Sequence, residues 1–95
     1  MRLARNQLEV LNLLAAVDRE MAGIEVADAV GGLGRSSAYA SLAALQRDGM
    51  ASARWDVSGP RPRRMFKVTP LGKEALATEK ARAETNYGWL APRTS

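Results

Sequence analysis

Residues 35–70 read RSSAYASLAALQRDGMASARWDVSGPRPRRMFKVTP, and the change of period inside this stretch decides the fold. Up to residue 48 the apolar residues fall at helical spacing, with Ala38, Leu42 and Leu45 on one face. Ser36 or Ser37 can cap this helix, and Gly49 follows where a left-handed C-terminal residue is usually needed. From Met50 to Val57 the pattern shifts to moderate alternation, which predicts a strand. Ser58-Gly59-Pro60-Arg61-Pro62 is turn chemistry, because two prolines and a glycine cannot continue a ladder. Arg63 to Val68 then reads as the returning strand, so 50–68 is a hairpin with a basic tip.

Beyond the hairpin, Thr69-Pro70 places a cap and then a proline at the first helical position. That order predicts a last helix to about Thr85, with Leu71, Ala75, Leu76 and Ala83 on one side. Towards the N-terminus, Asn6 and Glu9 make a box-like cap for a first helix carrying Leu8, Leu11, Leu14, Ala15 and Val17. Its run is expected to reach Met21–Ala22, with Gly23 as the stop. Val10 and Leu13 lie off the main stripe, as in a helix that makes a dimer contact or one that is central to the core. Ile24, Val26, Ala27 and Val30 allow a short second helix ended by Gly31-Gly32. The resulting order is α-α-α-β-β-α, mainly helical with one small β-hairpin: a winged helix-turn-helix. Residues 1–85 form the expected domain and 86–95 an aperiodic tail, in which Trp89 is expected to pack onto the core.

Composition narrows function by exclusion. Among 95 residues there is neither cysteine nor histidine, which removes thiolate and imidazole chemistry, disulfides and the usual zinc sites. Gly31-Gly32-Leu33-Gly34-Arg35-Ser36-Ser37 opens a helix, but it lacks the lysine of a phosphate-binding loop and no strand precedes it. Neither an enzyme nor a cofactor protein is indicated, nor a metal site. No apolar run approaches the roughly 18 residues of a membrane span, and no signal-peptide pattern opens the chain, so the cytoplasm is the expected compartment.

The net charge of +4 is concentrated. Within 51–70, Arg54, Arg61, Arg63, Arg64 and Lys67 face Asp56 as the sole acid, whereas residues 1–50 are slightly acidic. Localised basic charge is the footprint of a polyanion partner. In a helix-turn-helix the second helix enters the major groove by its N-terminal residues. That helix is expected over 36–48, led by Arg35. Ser36, Ser37, Ala40 and Ser41 are its small outward positions, Tyr39 lies among them, and Arg47 reaches the backbone from the far end. The wing, 58–64, adds Arg61, Arg63 and Arg64 for the backbone or the minor groove, where arginine is favoured. Trp55 is expected to pack within the hairpin; a single-strand binder would carry several exposed aromatics, and this chain has five aromatic residues in all.

Three segments together resemble the PadR family of transcriptional regulators: Ser37-Ala38-Tyr39-Ala40-Ser41-Leu42, Leu45-Gln46-Arg47-Asp48-Gly49-Met50, and Gly59-Pro60 through Arg64 to Thr69-Pro70-Leu71-Gly72. The resemblance covers roughly residues 7–76. It implies a winged helix, sequence-specific binding of double-stranded DNA as a homodimer on an inverted-repeat operator, and usually repression. It also implies a phosphate contact for Tyr39, whose ring could otherwise pack on the helix-turn-helix. Ser37, Ala40 and Gln46 stand where the family usually has threonine, proline and glutamate. The family's C-terminal dimerisation region is mostly absent, and a small-molecule effector, though possible, is not indicated. Two other readings fit a small winged helix: a protein–protein interaction module, and a plasmid or phage replication or partition factor.

Overall fold

The computed structural model describes residues 3–87. Four helices and a small sheet follow one another as α1 (Arg5–Val17), β1 (Met21–Ala22), α2 (Gly23–Ala29), a 3₁₀ turn (Gly31–Leu33), α3 (Arg35–Arg47), β2 (Ala51–Asp56), β3 (Arg63–Val68) and α4 (Pro70–Tyr87). The helix-turn-helix, the hairpin and the closing helix stand where the sequence places them. The sheet, however, has three strands in the order β1-β3-β2, all antiparallel. Met21 and Ala22 pair with Phe66 and Met65 rather than ending the first helix.

The earlier end of α1 has a local cause. Asp18 adopts a left-handed conformation (φ 51°), and its N–H donates to the Leu14 carbonyl at 2.9 Å, closing the helix. Aspartate is among the few side chains that tolerate this region. Gly23, expected as the stop, is instead the first residue of α2. The N-terminal caps differ as well. The Ala4 N–H donates to Gln7 Oε1 at 3.1 Å, so the reaching-back side chain is Gln7 and not Glu9. α3 is preceded by Gly34, which puts Ser36 and Ser37 inside its first turn and not at the cap.

α1 is the central helix of the core. Val10, expected off the buried stripe, is fully buried with Leu11 and Leu14, and the three pack with Val26, Leu42, Leu45, Met50, Phe66, Val68 and Leu76. Each such side chain contributes about 1.5–3 kcal/mol by leaving water. α4 leans on α1 through Leu76, with Ala75 half-buried beside it, but Leu71 is exposed, contrary to the expected stripe. Residues 88–95, including Trp89 and most of the expected tail, lie outside the described residues, as does the side chain of Ala83.

Thr69 ties the base of the hairpin. Its N–H donates to the Met50 carbonyl (3.1 Å), and its hydroxyl donates to the Gly49 carbonyl (2.6 Å) while accepting the Gly72 N–H (3.1 Å). Gly49 has φ 77°, a left-handed bend that turns α3 into β2. Gly72 lies against the Met50 carbonyl, and a Cβ there would collide with that oxygen and stand 3.0 Å from Val68 Cγ2. Gly72→Ala should therefore lower stability by about 1–3 kcal/mol, read as a fall in the midpoint of urea unfolding. An unchanged midpoint would show that α4 does not need this close approach.

Candidate nucleic-acid interface

On α3 the inward positions Ala38, Leu42 and Leu45 are buried, as expected, and Ser41 joins them at 5% exposed. Ser41 is thus a core-side residue, not an outward one: it follows Ala38 by three positions and precedes Leu45 by four, which puts all three on one face. The exposed face carries Ser36, Tyr39, Ala40, Ala43, Gln46 and Arg47, while Ser37 is half-buried. Ala43 and Gln46 were missed as members of this surface; their spacing from Ser36 and Ala40 was the available signal. Apart from Tyr39, this face begins with small side chains, so the helix backbone can come close to a partner.

Tyr39 is 42% exposed. Its ring lies over Gly23, where even a Cβ would sit 3.1 Å from Cε1. Together with Ala22, Ile24, Pro62, Arg63 and Arg64 it lines a shallow groove between the start of α2 and the wing. One edge of the ring therefore packs on the helix-turn-helix while the rest faces solvent.

The wing is stiffened before it meets anything. Asp56 Oδ1 accepts the Ser58 N–H at 3.0 Å and the Ser58 hydroxyl at 2.6 Å, a side-chain-closed turn. These two bonds, with the nearby Arg54 and Arg63 charges, hold the Asp56 carboxyl below its ordinary range. Pairing then runs Asp56 with Arg63 and Trp55 with Arg64. Because side chains alternate across a strand, Trp55 and Arg64 share the face of Ala53, Phe66 and Val68, which looks towards the helices.

The arginines are not equivalent. Arg35 pairs with Asp28 at 3.7 Å, Arg47 with Asp48 at 3.7 Å and Arg63 with Asp56 at 3.6 Å, all partly or largely exposed. Such pairs are worth about 0–1 kcal/mol and yield readily to a phosphate. Arg54 differs. It donates twice to Glu20, from Nε at 2.5 Å and from a terminal nitrogen at 2.6 Å. Ala22 and Arg54 flank Met65 from the two edge strands, so this bidentate pair straps β1 to β2 across β3. Among the described residues, no carboxylate lies within 4.0 Å of Arg61 or Arg64.

The family model for "Transcriptional regulator PadR-like family" matches residues 10–78. The chain belongs to the PadR-like family. Membership assigns this PadR-like protein to transcriptional regulators rather than to enzymes. Solved structures agree on the winged-helix fold. A PadR family regulator from Eggerthella lenta superposes with a TM-score of 0.74 at 20% identity, over 90% of this chain and 80% of that one. The PcaV regulator from Streptomyces coelicolor, solved with its natural ligand, gives 0.77 at 28% identity over 98% and 64%. Bacillus subtilis PadR, solved in complex with operator DNA, gives 0.64 at 21% identity over 94% and 48%. No match was found among curated proteins. No described helix of the PadR-like chain is long and apolar enough to cross a membrane.

The Arg54 contact holds the Glu20 carboxyl below its ordinary value of 4.5. A depressed folded-state value stabilises above the unfolded value and is lost as the pH falls through the folded one. At neutral pH the wild type should melt above Glu20→Gln, and the gap should close as the pH drops below about 4. Equal melting temperatures at neutral pH would mean that the strap contributes nothing.

Proposed function

We propose that this chain is a cytoplasmic, homodimeric repressor that binds double-stranded DNA sequence-specifically at an inverted repeat. In this reading α3 enters the major groove, led by Arg35, Ser36, Ser37, Tyr39 and Ala40, with Arg47 on the backbone. Arg61, Arg63 and Arg64 of the wing meet the backbone or the minor groove. The observation that carries the reading is the juxtaposition of a helix face opening with small side chains and a stiff hairpin whose Arg61 and Arg64 have no acidic partner among the described residues. The operator complex of Bacillus subtilis PadR supports it by analogy of fold.

Dimerisation is assigned to α1 and α4, whose paired surfaces leave a groove with Leu8 and Leu76 at its apolar part and Glu9, Asn12, Glu79 and Lys80 around them. A two-fold dimer sets its recognition helices about 34 Å apart, one turn of DNA. Residues 1–85 are proposed as the functional winged-helix unit and 86–95 as its tail.

The test starts from a duplex enriched out of a random pool by the purified protein, with a scrambled duplex as control, in fluorescence anisotropy at several salt concentrations. Preference for the enriched duplex by about a thousandfold supports a sequence-specific regulator. Equal binding to both would overturn the specific reading, and no binding at low salt would overturn DNA binding. Ala40→Glu, on the exposed face of α3, should weaken binding at least tenfold, roughly 1.4 kcal/mol, without lowering the melting temperature. Replacing Arg61, Arg63 and Arg64 together by alanine should weaken binding to both duplexes and flatten the salt dependence by about two to three phosphate equivalents.

A further inference from the structure

The wing arginines are held in different ways, and the difference is chemical. Arg63 and Arg54 have carboxylate partners, so their charge is compensated within the protein. Arg64 has neutral partners instead. Its guanidinium carbon lies 5.1 Å from the centroid of the Trp55 ring, and one terminal nitrogen is 3.4 Å from Gln46 Oε1 on α3. Trp55 is the directly opposed residue on β2, and Arg64 is half-buried between strand and helix.

The ring has little else to do. Trp55 is 58% exposed and takes no part in the buried core, so most of a large aromatic surface is left in water. A face-on cation is what that surface offers. The guanidinium is thereby fixed at the junction of wing and recognition helix while keeping its full positive charge. It also lines the groove that contains Tyr39.

We propose that Trp55 and Gln46 are positioning residues for Arg64, and that Arg64 is the preset anion contact between the groove-reading helix and the wing. The proposal rests on the DNA reading above. Arg61, on the turn, supplies exposed charge with no side-chain partner among the described residues; Arg64 supplies aimed charge. Trp55 acts through Arg64, adding orientation but no charge of its own. Gln46 acts by accepting a hydrogen bond without neutralising what it holds.

These roles separate in one set of anisotropy titrations with the enriched and scrambled duplexes. Arg64→Ala should weaken binding at least fivefold and lower the salt slope by about one. Trp55→Ala should weaken binding about two- to fivefold with the salt slope unchanged, because no charge is lost. Trp55→Phe, which keeps a ring face, should recover most of that loss. Gln46→Glu should weaken binding and lower the slope, since a carboxylate there compensates the guanidinium. In the Arg64→Ala background, Trp55→Ala should have no further effect. Melting curves of each variant check that the fold is kept. Wild-type affinity in Trp55→Ala, or an equal loss from it with and without Arg64, would overturn the positioning role. Failure of the wild type to bind either duplex would instead overturn the DNA reading on which the role rests.

Discussion

Thr69 is where the molecule is joined. Its backbone and hydroxyl hold the Gly49 and Met50 carbonyls, which lie at the end of α3 and the start of β2, and its oxygen takes the Gly72 N–H in the first turn of α4. One residue thus brings α3, the base of the hairpin and the closing helix to a single point. The left-handed bend at Gly49 and the missing side chain at Gly72 are the two conditions under which the backbones approach closely enough. This joint adds to the packing of Ala51, Phe66 and Val68 against Leu42 and Leu45 in setting the angle between the hairpin and α3, the angle that the proposed contact of both with one duplex requires.

The parts of the fold that announce themselves locally were readable from the chain. The hairpin shows in the break from helical period to alternation, with prolines between its arms, and α4 in the Thr69-Pro70 pair. The buried face of α3 shows in Ala38, Leu42 and Leu45. Other features needed partners distant in sequence. β1 is two residues long, too short for any period, and exists because Phe66 and Met65 offer it a free edge. Ser41 looks outward by type but is inward by geometry, since a hydroxyl small enough for the groove is also small enough for the core.

The proposed interface is legible as a set of residue types and not as a set of charges. Counting basic residues groups Arg54 with the wing, but Glu20, thirty-four positions away, takes it for structure. The same count places Arg61, Arg63 and Arg64 together, although only Arg63 has a carboxylate within reach among the described residues. The sequence predicts packing of Trp55 within the hairpin, and the ring does lie against its cross-strand neighbour. What the sequence does not display is that this neighbour is a cation.

The loosely held arginines carry a further consequence. Asp28, Asp48 and Asp56 each stand beside an arginine of the proposed interface. When such an arginine turns to a phosphate, the aspartate it leaves becomes an uncompensated negative charge beside a polyanion. Each new attraction to the phosphate is opposed by a repulsion created in the same movement. In the proposed complex, a surface built this way would carry its own brake and grip less tightly than its arginine content alone would allow.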